Sequence, residues 1–270
     1  MTSTGSVQSD GGRLFLEEAG EGPGVVLVHP GLWDRRTWDG HFERFAERYR
    51  VLRYDVRGYG SSSRLEPGRP YSHPADLVAV MDAAGMEAGA LVGCSMGGAI
   101  ALDVALEHPG RVTALVLAAS DLGGLEDLTP DEEAEWMTLQ TPVEEAVAAG
   151  ELERAEELRM RIFAPLGTDD PAGARIRRIA FDNLHELTMD ESGALRLDPP
   201  AIERLEEIPV PTLVLPADHD PLWLRRASRL LAERIPGARV VEIPDTDHVI
   251  NVRRPVEFDD AVLAFLGEVL

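Results

Sequence analysis

The chain contains no lysine; all 26 of its basic side chains are arginine. Without a lysine amine no Schiff base can form on the protein, which excludes lysine-anchored pyridoxal phosphate. A phosphate-binding loop of the Walker A kind is also missing. There is one cysteine, Cys94, so no internal disulfide can exist. No stretch approaches the roughly 18 consecutive apolar residues that a membrane span requires. The opening MTSTGSVQSDGG has neither a basic start nor an apolar core, so no signal peptide is expected and a cytoplasmic location is. Positive charge is scarce: 48 acidic side chains leave a net charge of -22. Such a surface repels phosphate backbones and anionic lipids, so neither nucleic acid nor a membrane surface is an expected partner.

What the sequence does contain is a rhythm of short apolar runs and amphipathic stretches. GSVQSDGGRLFLEEAG suggests a hairpin turning at Asp10-Gly11-Gly12. Strands are expected at Val25–His29, RVLRYD, GALVGC, RVTALVLAAS, VPTLVLPAD and ARVVEIPD. Helices are expected over RRTWDGHFERFAERY, with Trp38, Phe42, Phe45 and Tyr49 on one face, and over SHPADLVAVMDAAGM, capped by Ser72 and stopped by Gly85. Others follow at MGGAIALDVALEHP, WLRRASRLLAERI and RPVEFDDAVLAFLGEVL. Strands alternating with helices imply a mostly parallel sheet with helices on both faces. Between about Asp121 and Glu207 the strands stop. Acidic helical segments replace them: TPDEEAEWMTL, PVEEAVAAGELERAEELRMRIF and GARIRRIAFDNLHEL. The expected organisation is a core of residues 1–120 and 208–270 with a helical cap inserted at 121–207.

The chemistry centres on GCSMGG, residues 93–98. Gly93-x-Ser95-x-Gly97, set between an apolar strand and an apolar helix, is the pattern of a nucleophile elbow. The sharp turn crowds the positions on either side of the serine, so they must be small, and the helix N-terminus behind it offers backbone N–H groups. Cys94 should point away from the pocket if Ser95 points into it. A serine nucleophile needs a base, and the base an orienting carboxylate. Of seven histidines, His41 and His108 lie on helix flanks, His73 in a loop and His185 in the cap segment. His29 shapes the loop after its strand, and His219 lies within the candidate acid turn, facing outward. His248 follows the last strand, and Asp220 the strand before it. Asp218 and Asp121 are rival acids. The order Ser95, Asp220, His248 is that of an α/β-hydrolase triad. Two oxyanion donors are expected: the N–H of Met96 and that of Gly31, with Leu32 as the alternative because Pro30 has no N–H.

Several segments together resemble the α/β-hydrolase family over nearly the whole chain. HPGLWDRRTW resembles its oxyanion segment, YDVRGYGSS its D-x-R-G-x-G-x-S segment, GCSMGG its elbow, PADHDP its acid turn and DTDH its histidine loop. Within the family the chain is most similar to cap-bearing esterases and enol-lactone hydrolases. The resemblance implies Ser95 as nucleophile, His248 as base and Asp220 as its orienter, working without metal or cofactor. It argues against dehalogenases and epoxide hydrolases, whose nucleophile is aspartate. Two departures stand out: His29-Pro30 replaces the usual His-Gly, and His248 follows Asp247, not glycine. A carboxylate beside the base favours the imidazolium, so a raised pKa is expected if Asp247 reaches it. The implied activity is hydrolysis of a small-molecule carboxylic ester or lactone; a homodimer is compatible with it. Thioester, carbon–carbon bond or peroxide chemistry would use the same three residues, and a receptor or cyclase could keep the fold with little turnover. Trp33, Trp136, Met137, Phe163 and Phe181 are the candidate pocket walls, and a mostly apolar substrate is expected.

Overall fold

The computed structural model describes residues 2–270. Its strands are β1 (Ser3–Ser9), β2 (Gly12–Ala19), β3 (Gly24–Val28), β4 (Arg50–Tyr54), β5 (Gly89–Cys94), β6 (Val112–Ala118), β7 (Thr212–Leu215) and β8 (Arg239–Val240). They form one sheet in the order β1-β2-β4-β3-β5-β6-β7-β8. The β1–β2 and β2–β4 pairs are antiparallel and all others parallel. This is the expected α/β-hydrolase architecture with its N-terminal hairpin.

Strand periodicity divides the interior into two layers. Val26 and Val28 of β3 point to one face, where they meet Leu77 and Met81 of α2 (His73–Ala83) and Ile100 and Val104 of α3 (Met96–Glu107). Val25 and Leu27 point to the other and meet Phe42 and Phe45 of α1 (His41–Phe45) and Phe258 and Val262 of α9 (Pro255–Val269). Successive side chains of a strand face opposite sides, so a continuous apolar run is what a doubly covered sheet demands.

Between β6 and β7 lie α4 (Pro130–Ala148), α5 (Leu152–Phe163) and α6 (Pro171–Asp182); α7 (Leu222–Arg234) and α8 (Ile250–Arg253) complete the helices. Four element boundaries differ from expectation. RRTWDGHFERFAERY is a 3₁₀ turn (Arg35–Trp38) and a short α1, divided at Gly40, whose φ is 87°. All four of its spaced aromatics are nevertheless buried. α4 runs straight through Pro142, and the helix break falls at Gly150 with φ 74°, so the two expected segments share different ends. The final strand keeps only two residues, because β8 is an exposed edge paired on one side. The hairpin turn is Asp10-Gly11, both at positive φ, and Gly12 already belongs to β2.

The loop after β4 is anchored by a buried ion pair. Arg57 donates to both Asp76 oxygens, at 2.8 and 2.6 Å, and to the Ser9 carbonyl at 2.6 Å. Both side chains are sealed from solvent. Asp76→Ala should leave the guanidinium stranded and lower the unfolding free energy by about 3–5 kcal/mol in urea titrations. A loss below about 1 kcal/mol would place the pair among screened surface contacts.

Candidate active site

Ser95 joins β5 to α3 with φ 51° and ψ −121°, a conformation that costs on the order of 1–3 kcal/mol for a non-glycine residue. Four backbone hydrogen bonds hold it. Its N–H donates to the Ala118 carbonyl at 3.0 Å, and its own carbonyl accepts from Gly98, Ala99 and Asp121 at 2.9, 3.0 and 3.2 Å. The flanking glycines are required by contact. A Cβ on Gly93 would lie 2.3 Å from the Gly97 carbonyl oxygen, and one on Gly97 would lie 2.2 Å from that of Val28. Ser95 is only half-buried, whereas Cys94 is sealed. The Cys94 thiol points to the opposite layer and donates to the His248 carbonyl at 3.4 Å. Burial first, then Asp220 and Asp247, push that thiol's pKa far up, so it stays a weakly donating thiol.

His248 Nδ1 lies 2.9 Å from Asp220 Oδ1, and both side chains are buried. A carboxylate only accepts, so Nδ1 carries the proton and a neutral ring leaves Nε2 free to accept one. The other Asp220 oxygen, Oδ2, has no further donor among the described residues. Burial disfavours the imidazolium. The charge and hydrogen bond of Asp220, with smaller contributions from Asp247 and Asp121, together outweigh it, so the pKa of His248 stands above its ordinary 6.5. Asp247 does not touch the ring. Arg253 Nε grips its two oxygens at 3.0 and 2.8 Å and also donates to the Gly167 carbonyl through its terminal nitrogen. Asp218 accepts from the Asp245 and Thr246 N–H groups at 2.9 and 2.8 Å, tying the β7 loop to the histidine loop. Asp121 and His219 are exposed; with Asp218 and Asp245, His219 forms a surface group of ligand atoms within 4.8 Å of one another.

The loop after β3 is fixed from within by His29. Its Nδ1–H donates to the Pro30 carbonyl at 2.8 Å, while Nε2 accepts from the Val56 N–H at 2.9 Å. The ring is therefore neutral, and burial holds its pKa below the usual value. Leu32 has φ 66°. Trp33 is fully buried and donates from Nε1 to the Ile176 carbonyl at 2.9 Å, which binds the loop to α6. Met96 opens α3, so its N–H has no partner within the helix.

Of the expected pocket walls, Trp33 and Phe163 stand beside the base, with ring centroids 6.5 and 5.0 Å from that of His248. The other three differ from expectation in their surroundings. Trp136 stacks edge-on with Trp223 at 4.9 Å, Met137 is 58% exposed, and Phe181 lies under the Arg177 guanidinium. Met137 and Phe181 fall off the buried stripes of α4 and α6, whereas Trp136 shares the Glu132–Val143 stripe and spends it on Trp223. Sequence reasoning passed over Arg253, which ends α8 six residues after Asp247. It also passed over Tyr59, the variable position of R-G-x-G, whose hydroxyl is 3.7 Å from where a Gly31 Cβ would stand.

The model of the alpha/beta hydrolase fold family matches residues 24–255, and the chain belongs to that family. Among curated relatives it is similar to the rhodomycin D methylesterase DauP of Streptomyces sp. strain C5, at 31% identity over 84% of this chain and 85% of that one. It is also similar to the 2-hydroxymuconate semialdehyde hydrolase of Pseudomonas putida, at 29% identity over 96% of this chain and 92% of that one. Among solved structures, the enol-lactonase of Burkholderia xenovorans LB400 superimposes with a TM-score of 0.76 at 25% identity, covering 98% and 100% of the two chains.

Gly97→Ala should lower the unfolding free energy by about 3 kcal/mol through backbone overlap. Gly110→Ala, where a Cβ meets nothing within 4 Å, should change it by less than about 0.5 kcal/mol. Asp220→Asn should reduce kcat on the order of 10⁴-fold. Only the neutral ring accepts a proton, so kcat/KM should rise with pH through a pKa above 6.5 and Asp220→Asn should move that limb to lower pH. Asp247→Asn should move it less, because Arg253 already pairs with that carboxylate.

Proposed function

We propose that the protein hydrolyses carboxylic esters or lactones through an acyl-enzyme. Ser95 attacks the acyl carbonyl while His248 Nε2 takes its proton, and Asp220 steadies the imidazolium that forms. The N–H groups of Met96 and Gly31, with Leu32 as the alternative to Gly31, face the developing oxyanion; losing one such donor slows acyl transfer by about 10²–10³. His248 then protonates the leaving alkoxide and activates water to release the acid. The helical segment at 121–207 acts as the cap over this centre, and no metal or cofactor takes part.

The observation that carries this reading is the 2.9 Å His248–Asp220 hydrogen bond, one residue along from a strained, half-exposed serine through the Cys94–His248 carbonyl contact. The names of two relatives, a methylesterase and an enol-lactonase, support ester or lactone cleavage. The third, a semialdehyde hydrolase, keeps carbon–carbon bond hydrolysis as a second reading. The net charge of -22 favours a neutral substrate over an anionic one.

Hydrolysis of p-nitrophenyl acetate and butyrate tests the proposal. Turnover in the wild type that Ser95→Ala reduces by at least about 10³-fold supports it. Tight binding of such esters without turnover would instead mark a receptor, and turnover that survives Ser95→Ala would overturn the assigned nucleophile.

A further inference from the structure

Arg253 closes α8, and its side chain keeps only 5% of its surface open. Partners from two distant parts of the chain share its guanidinium. Nε donates to the Asp247 oxygens at 3.0 and 2.8 Å, and the terminal nitrogen Nη2 stands 2.8 Å from the same carboxylate. Nη2 also donates to the Gly167 carbonyl at 2.6 Å. Gly167 turns the chain between α5 and α6 with φ 96°, and its oxygen is pressed against α6, where a Cβ on Gly173 would lie 2.6 Å from it. The other terminal nitrogen, Nη1, lies 3.5 Å from Asp170, the residue that caps α6. One guanidinium therefore joins the residue before His248 to the turn that follows Phe163.

A buried ion pair is weak evidence of stability, because apolar residues of similar volume often serve as well or better. What this pair fixes is position and charge at the His248 ring. Phe163, at the end of α5, stands 5.0 Å from that ring between centroids, and Arg253 ties the same segment to the histidine loop just beyond it. Three carboxylates act on the ring by charge: Asp220 from the loop after β7, Asp247 from its own loop, and Asp121 from the loop after β6. The Cys94 thiol of β5, which donates to the His248 carbonyl, stays protonated. Among the described residues, Arg253 is the only arginine paired with any of the three carboxylates. Burial holds the pKa of Asp247 above its ordinary value, and the Arg253 hydrogen bonds and charge oppose that. The charge beside the base is thus compensated by the same side chain that holds the α5–α6 turn.

We propose that Arg253 is a positioning residue for the base: its guanidinium offsets the charge of Asp247 beside His248 and, through the Gly167 carbonyl, holds the α5–α6 turn so that Phe163 stays against the imidazole. The inference rests on the hydrolase reading above, from which it takes His248 as the base, and deepens it by giving that base a support outside the three assigned residues.

The test follows the His248 ring in NMR titrations of wild type, Arg253→Met, Asp247→Asn and the double variant, with His248→Gln identifying its signals. Arg253→Met leaves the ring beside an unpaired carboxylate and should move its titration midpoint up by about half a pH unit or more. Asp247→Asn leaves an unpaired guanidinium and should move it down. The double variant removes both charges and should return to within about 0.3 of a pH unit of wild type. Arg253→Lys keeps the charge but lacks the planar fork that spans Asp247 and Gly167, so its midpoint should stay with wild type. The NOE between the Phe163 and His248 rings should persist in Asp247→Asn and weaken in the three variants that lack the guanidinium. A midpoint in Arg253→Met that stays in place or falls, or an undiminished NOE in those three variants, overturns the assignment. If Arg253→Met does not fold, the fall in Asp247→Asn, its reversal in the double variant and the NOE decide, and failure of any of them overturns it. With turnover, the acid limb of kcat/KM should follow the ring, to higher pH in Arg253→Met and to lower pH in Asp247→Asn. The titrations need no substrate. A wild type that hydrolyses no ester, or hydrolysis that survives Ser95→Ala, therefore overturns the hydrolase reading separately.

Discussion

Everything at the candidate site depends on backbone passing backbone with no side chain between. The turn at Ser95 brings Gly97 against the Val28 carbonyl and Gly93 against Gly97. That proximity sets α3 tightly on the sheet and forces φ at Ser95 to positive values. The strain is local, and the hydrogen bonds that offset it come from β6 and the first turn of α3. A rigid scaffold of this kind positions a reactive group more accurately than a free loop would. The sheet behind it supplies the rigidity, since β3, β5 and β6 are buried on both faces.

Around that turn the acidic residues divide their work by partner. Asp220 faces the histidine, Asp218 holds two backbone N–H groups of the same loop, and Asp247 is held by Arg253. All three lie within a few residues of one another in space, yet only one meets the ring. A carboxylate with its own cation or N–H donors contributes little further charge to a neighbour. The histidine therefore takes its character from the carboxylate that has no other donor.

The fold was legible because strand periodicity and the strand–helix rhythm are local signals. The Ser95, Asp220 and His248 assignments rest on motif order, which leaves Asp218 as a rival acid; in the structure it is Asp220 that meets the His248 ring, while Asp218 accepts from backbone N–H groups. The segment between β6 and β7 was less readable. Apolar residues there are spread thinly among charges, so Trp136, Met137 and Phe181 resembled wall residues in sequence although their surroundings differ from those of Trp33 and Phe163. Helix limits also escaped: Pro142 suggested a boundary that α4 runs through, and the real one is marked by the positive φ at Gly150. Arg253 was hidden for another reason. Among so many arginines a single one looks solvated, and only the packed structure shows that it is enclosed between Asp247 and the Gly167 carbonyl.

The two histidines nearest the site respond to acid in different ranges, and this orders events on acidification. His248 takes up its proton above pH 6.5, where the fold gains from the charged ring beside Asp220. His29 resists protonation until lower pH, because its Nε2 must stay free for the Val56 N–H. Mild acid therefore charges the His248 ring while the two hydrogen bonds of the neutral His29 ring still hold the loop after β3. Only stronger acid works against the bond from the Val56 N–H behind Gly31, so one descent in pH meets the two rings as separate steps.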